Sequence, residues 1–180
     1  MENIEIKELF QDDINDNILS FFNRYQEVNK CWINENGNWI LINEKRIENW
    51  DKNIKDEKVQ MFKEILENNI GYIYGAFVNE ELIGFSLLLN EKFGSLDQYI
   101  QLKQLHISHE YRHKGIGKKL FKMCMEKAKE MGAKKIYIST NDSEESQKFY
   151  KTIGCKDAME IDKKSVEKEP YDRQMEYEII

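Results

Sequence analysis

No apolar run in this chain approaches the roughly eighteen residues that a membrane-spanning helix requires. The start, Met1-Glu-Asn-Ile-Glu-Ile, is acidic and lacks the apolar core of a signal peptide, and the end carries no lipidation motif. The three cysteines (Cys31, Cys124 and Cys155) cannot all pair and show no metal-type spacing. A disulfide framework and a metal site are therefore not expected, and a reducing cytoplasm is the expected setting. Proline occurs once, at Pro170, and there is no repeat, linker or low-complexity tract. A single domain spanning 1–180 is expected. What is present suits a globular protein: 41% hydrophobic, 12% aromatic and 33% charged residues.

The net charge of −6 is unevenly distributed. Lys103–Lys135 holds ten Lys/Arg against three acids, which leaves 17 basic and 30 acidic residues elsewhere. A basic stretch can signal nucleic acid, but no base-stacking aromatics are interleaved with this one, and the acidic remainder would repel a polyanion. A small phosphorylated ligand fits the asymmetry better, and the acidic remainder suits a cationic amine. Lys119, Lys122, Lys127 and Lys129 read as the solvated face of a helix.

Hydrophobic periodicity lays out the elements. Ile14, Ile18, Phe21, Phe22, Tyr25 and Val28 predict a helix. Cys31–Ile33 and Trp39–Ile42 flank Asn36-Gly37, a hairpin turn signal. A second helix follows Trp50-Asp51, with Val59, Phe62, Ile65, Leu66 and Ile70 on one face and Gly71 as its stop. Tyr72–Val78 and Leu82–Leu89 form an antiparallel hairpin, and Lys92–Asp97 is a polar loop. Tyr99–Ile107 is a strand, Lys118–Met131 a basic amphipathic helix closed by Gly132, and Lys135–Thr140 a strand. This strand–helix–strand order implies a parallel, right-handed crossover. A further helix starts near Asn141-Asp142-Ser143, with Asp142 and Glu145 at capping-box spacing, and Gly154 stops it. Lys156–Tyr171 reads as a loop, and Arg173–Ile180 as a last strand.

The most informative stretch is the start of the basic helix. Gly115 and Gly117 let free backbone N–H groups converge where the helix dipole favours negative charge, and Arg112, Lys114 and Lys118 surround the spot. A third glycine and a Gly-Lys-Ser/Thr ending are both missing, which argues against a dinucleotide fingerprint and a P-loop. Arg112-His113-Lys114-Gly115-Ile116-Gly117 resembles the Arg/Gln-x-x-Gly-x-Gly/Ala signature of the GNAT superfamily of acyl-CoA N-acyltransferases. The resemblance extends to Lys135–Gly154 and loosely back to Gly71; the first seventy residues match only in layout.

The resemblance implies an α/β (α+β) fold with a central mixed sheet of six or seven strands, helices on both faces, and a splayed parallel strand pair forming the acyl-CoA slot. It divides the chain into an acceptor-side part (1–70), an acyl-CoA core (71–154) and a C-terminal loop and strand (155–180). By the resemblance, backbone groups near Leu105 and Ile107 would bond the pantetheine arm of acetyl-CoA. The pyrophosphate would rest on Arg112, His113, Lys114, Gly115, Ile116, Gly117 and Lys118. Asn141 would touch the arm, and Tyr150 would protonate the leaving thiolate. Relatives often carry a glutamate base four or six residues before the position of Ile107, but this chain has Lys103 and Gln101 there. His106, with a pKa in a suitable range, stands as the candidate base beside a water chain ending on an N-terminal acid. His109 and Glu110 would lie near the phosphates.

Trp32, Trp39 and Trp50 read as core or hairpin-stabilising aromatics, and the resemblance also allows them as acceptor-pocket lining. Cys124 lies on an apolar stripe and reads as core. The expected activity is acetyl transfer from acetyl-CoA to the amine of a small molecule or protein, with no metal, and a homodimer is possible. The missing glutamate motivates an alternative, a CoA-binding sensor or interaction module without turnover.

Overall fold

The computed structural model describes residues 3–179. Seven strands form one sheet: β1 (Glu5–Leu9), β4 (Gly71–Val78), β5 (Glu81–Phe93), β6 (Tyr99–Ile107), β7 (Lys135–Thr140), β8 (Lys156–Asp157) and β9 (Arg173–Glu178). They run in the order β1-β4-β5-β6-β7-β9-β8, and only β6 and β7 are parallel neighbours. The remaining strands, β2 (Gln26–Glu35) and β3 (Asn38–Glu48), make a separate ribbon. Among the described residues there are four α-helices: α1 (Lys52–Glu67), α2 (Ile116–Glu130), α3 (Glu144–Thr152) and α4 (Lys163–Lys168).

Alternation along the strands feeds two cores, because successive side chains of a strand leave opposite faces. Ile73 and Phe85 join Val59, Phe62 and Ile65 of α1 on one face. Tyr74, Ala76 and Ile83 join Leu120, Cys124 and Ala128 of α2 and Tyr150 of α3 on the other. The expected mixed sheet with helices on both faces is the observed one.

The helix expected from Ile14 to Val28 does not form. Asn15 and Asn23 turn their side-chain oxygens onto the amides of Asn17 and Tyr25, at 2.9 and 3.0 Å, and these local bonds compete with a helical ladder. Ile14, Leu19 and Phe22 are still buried, but from short turns; Phe21 is 73% exposed, and Val28 lies in β2. Strand β1, which the sequence pattern did not suggest, forms the sheet edge. The stop of α1 is Asn69, at φ 51°, rather than Gly71. Gly71 instead opens β4, where a Cβ would stand 2.6 Å from the Leu88 carbonyl oxygen. Ser143, not Asp142, caps α3 by accepting the Ser146 amide. Within the expected loop 156–171 lie β8 and α4, the latter capped by Asp162. The final strand ends at Glu178; Ile180, included in the expected strand, lies outside the described residues.

The ribbon turns at Asn36-Gly37 with φ of 53° and 88°, as the hairpin signal implies. It docks on the start of α3. The Trp32 amide donates to the Asp142 carbonyl at 2.7 Å, the Arg46 guanidinium pairs with the Asp142 carboxylate, and Gln26 reaches Glu145 at 3.1 Å. Trp32 and Trp39 flank the Arg173 guanidinium, 5.9 and 4.7 Å from their ring centroids, and Trp50 stacks on Phe22 at 5.6 Å. None of the three lines the main cleft, Trp50 also lies under the Lys58 ammonium at 5.4 Å, and Trp32 borders a small surface pocket beside α3. Phe62, fully buried and edge-on to Phe85 at 4.9 Å, ties α1 to the sheet. Phe62→Ala is expected to destabilise the fold by about 3–5 kcal/mol, read as a lower urea midpoint at unchanged m-value.

Candidate active site

Strands β6 and β7 pair over four residues, from Tyr99–Lys135 to Leu102–Ile138, and then separate. The separation begins at an irregularity in β6. Leu87 faces Gln104 while Leu88 faces Leu102, so Lys103 is an extra residue in the ladder. Such a bulge bends its strand and re-aims the residues beyond it. On its outer side, β7 continues to pair with β9 through Thr140–Arg173. The result is a slot whose walls are Leu105–Ile107 and Ser139–Thr140.

The direction of the main chain in that slot follows from the ladder. The Ser108 amide donates to the Ile83 carbonyl at 2.8 Å. In an antiparallel pair the residues that bond their partner alternate with residues that face away. His106 thus bonds toward β5, while Leu105 and Ile107 present their N–H and C=O groups to the slot. The Arg112 Nε–H donates to the Ile107 carbonyl at 3.2 Å, so at Ile107 it is the N–H that stays open to the slot.

A 3₁₀ turn, His109–Tyr111, leads from β6 into the glycine segment. His113 sits at φ 59° and Gly115 at φ 80°, so two left-handed residues reverse the chain just before α2. The first helical hydrogen bond runs from the Lys119 amide to the Gly115 carbonyl at 3.2 Å. Among the described residues, the amides of Gly115, Ile116, Gly117 and Lys118 make no hydrogen bond. They are aligned at the positive end of a fifteen-residue helix. Gly117 is close-packed: a Cβ there would meet the Phe149 ring at 3.2 Å.

One cleft of about 1250 Å³ joins these features. It takes in Leu105, His106, Ile107, Arg112, His113, Gly115, Ile116, Gly117, Lys118, Asn141 and Tyr150. Lys114 stays off its wall, with Nζ lying 4.7 Å from the Tyr111 ring centroid, and so do His109 and Glu110. Asn141 spends its side-chain oxygen on Ser143 Oγ at 2.9 Å, which braces the α3 cap. Glu110 is bound by Asn23 and Ser108, and His109 is edge-on to Tyr25, so both serve the loop.

Tyr150 is buried beside Phe149, and its hydroxyl makes no hydrogen bond among the described residues. Burial, with smaller effects from Cys155, Cys124 and Asp172, lifts its pKa well above that of a free phenol. His106 is wedged between Trp50 (4.8 Å) and Phe85 (5.4 Å). Burial and the nearby charges of Arg24, Lys58 and Arg112 hold its pKa well below the ordinary value, so the imidazole is neutral.

The acetyltransferase (GNAT) family model matches residues 20–155. The chain belongs to that family. Among solved structures, this GNAT chain is similar to a nourseothricin acetyltransferase, with a TM-score of 0.71 at 10% identity over 98% of this chain and 99% of that one. It is also similar to a protein assigned as a streptothricin acetyltransferase from Bacillus anthracis str. Ames, solved in complex with acetyl coenzyme A (TM-score 0.66, 17% identity, 97% and 96% covered). A third is the PaiA N-acetyltransferase from Thermoplasma acidophilum in complex with coenzyme A (TM-score 0.60, 20% identity, 98% and 99% covered). These likenesses establish the fold, and family membership makes the chain an acyltransferase. No curated protein sequence matches it. No helix among the described residues is long and apolar enough to cross a membrane.

Asp172 of this GNAT chain also lines the cleft, although no sequence pattern marks it. Asp172, just before β9, accepts a hydrogen bond from Ser139 Oγ at 3.1 Å. Ser139 is itself fixed by Gln174 (2.9 Å), and Gln174 by the Tyr137 hydroxyl (2.7 Å). Burial, opposed by the Ser139 bond and assisted by Glu169, Asp142 and Glu48, pushes the Asp172 carboxyl up to about 6. Nothing local marks it, because an aspartate after a charged, proline-bearing segment reads as surface. The folded pKa lies above the ordinary 3.8, so the folded state binds more protons through this window and stability falls as pH rises from about 4 to 6. Asp172→Asn is accordingly expected to be more stable than the parent at pH 8 by about 1–3 kcal/mol, the difference shrinking at pH 4, as read from urea melts at both.

Proposed function

We propose that this chain moves an acetyl group from acetyl-CoA to a primary amine of a small molecule or protein by direct attack. The observation that carries the reading is the convergence of four unbonded amides, Gly115 to Lys118, with the slot-facing main chain of Leu105 and Ile107 and with Tyr150, on one cleft. The diphosphate of the co-substrate would lie at the helix start, where N–H groups and dipole both favour an anion. The pantetheine arm would occupy the slot as an additional strand. An N–H of the Leu105–Ile107 wall would then face the thioester carbonyl and stabilise the oxyanion.

Two proton transfers remain. Tyr150 is the proposed acid. Its phenol is weakened by burial, but a thiolate in the same surroundings is disfavoured by the same desolvation. This fold's own buried thiols, Cys124 and Cys155, are both pushed up to about 12. Burial thus raises phenol and thiol in the same direction, so desolvation does not by itself oppose the proton transfer. For the base we favour Asp172, which combines a place in the cleft, a fixed orientation and a carboxyl that titrates near the working pH. His106 is the alternative, favoured by its place on β6 beside the slot; its depressed basicity weighs against it. The absence of a carboxylate at Gln101 and Lys103 favours the second reading, a CoA-binding module without turnover.

Acetyl-CoA should bind the parent and fail to bind Gly117→Glu, in which a carboxylate meets the diphosphate position and Phe149; equal titration curves for the two would remove the premise. Tyr150→Phe should lower kcat by about 10²–10⁴-fold while binding acetyl-CoA normally. Thiol release unchanged by that substitution would favour a different acid, and none from any amine would favour the non-catalytic module. In Asp172→Asn the acid limb of kcat/KM, expected near pH 6, should vanish; its persistence there would shift the base to His106.

A further inference from the structure

The cleft continues past the slot to an end walled by α1, the β6 bulge and α4, and there its charge is the reverse of what an acidic protein leads one to expect. Lys58 of α1 and Lys103 of the bulge are both half-buried and both line the cleft, and Lys168 at the end of α4 lines it too. Among the described residues none of the three makes an ion pair. They are close enough to repel one another. Burial comes first and the neighbouring ammonium groups second in holding Lys58 and Lys103 below the ordinary lysine range. The acids whose charge reaches this group are Glu57 and Glu169, and neither is paired with these lysines.

Half-burying two ammonium groups without a counter-charge is costly, and the cost falls when an anion from solution completes the site. A second observation lies one residue along. The Gln104 side-chain oxygen is buried with no hydrogen-bond partner among the described residues, and Gln104 lines the same cleft. A buried acceptor left open is an unfavourable arrangement unless a donor arrives. Lys58 and Lys103 therefore offer two cations, Gln104 an acceptor, and Asp172 a carboxylate across the slot.

We propose that the acceptor of this chain is a small amine that also carries an anionic group, a carboxylate or a phosphate, with Lys58 and Lys103 binding the anion and the amine lying between Gln104 and Asp172. The inference rests on the acetyl-transfer reading for the amine, but the anion site stands on its own residues. It replaces the simple cationic acceptor that net charge suggests. A dicationic amine would put its second ammonium against Lys58 and Lys103.

The test uses four acceptors of equal chain length: an ω-amino carboxylate, the matching aminoalkyl phosphonate, the plain alkylamine and the diamine. With the full chain and acetyl-CoA, at least one of the first two should exceed the alkylamine about tenfold or more in kcat/KM, with the diamine poorest. That preference should collapse in Lys58→Met and Lys103→Met while the KM for acetyl-CoA is unchanged. An alkylamine or diamine equal to the anionic amines, or a preference that survives the double lysine variant, overturns the proposal. A binding readout separates it from the transfer reading. An alkyl phosphonate without the amine should bind the parent and Gly117→Glu alike and lose about tenfold or more in affinity for the double lysine variant. Binding that follows this pattern with no acetyl transfer supports the anion site and sinks the transferase reading. Binding lost in Gly117→Glu but kept in the double lysine variant places the anion at the helix start instead, and overturns the proposal.

Discussion

Four residue pairs join β6 to β7, and the site exists because there is not a fifth. The paired end is well secured: Tyr99, Tyr137 and Phe93 pack ring against ring, and the buried Glu176 takes the Tyr99 hydroxyl and the Lys135 ammonium. At the other end β6 past the extra residue Lys103 stays paired with β5, while β7 stays with β9. Main-chain groups that would otherwise close a sheet are left facing a gap. Unpaired backbone polar groups are unfavourable unless something meets them, and in the proposed reading the amide-bearing arm of the co-substrate meets that need.

The same bulge explains the composition of the site. It places Leu105 and Ile107 on the slot and directs Gln104 and His106 toward α1. It also leaves Lys103 half-buried at the junction. The loop that follows must then reverse within a few residues to begin α2, which is why His113 and Gly115 both adopt left-handed backbone. Gly117 lets α2 start in contact with Phe149, so the glycine turn and the Tyr150 helix are packed as one unit. The β2–β3 ribbon fixes the other end of that helix through Asp142, Ser143 and Glu145. Residues far apart in the chain thus hold α3 from both sides.

Electrostatics within the cleft depart from the chain's overall charge. A protein of net charge −6 presents cations to its cleft at the helix start and again near the bulge, with Asp172 on the same wall as other carboxylates. The distribution suits a co-substrate with phosphates at one end and an acceptor with charges of both signs at the other. His106, pressed between rings and near three cations, shows the limit of reading a role from an intrinsic pKa. Its position near the slot was legible; the environment that removes its proton was not.

The sequence by itself determined those features whose signal is local. Strands β6 and β7, the helix between them, the Asn36-Gly37 turn and the glycine turn that opens α2 were all readable. In each, a run of side chains with one period or a residue with special backbone freedom acts over a few positions. Where local signals competed, the pattern misled: residues 14–28 carry helical spacing, yet Asn15 and Asn23 bond their own backbone and tertiary packing takes the apolar residues from turns. What only the tertiary structure decided are β1, α4, the place of Lys103 as an extra residue, and the meeting of Lys58, Gln104 and Asp172 in one cleft. Strand pairing and convergence join residues more than a hundred positions apart, and no window of sequence contains the distance between them.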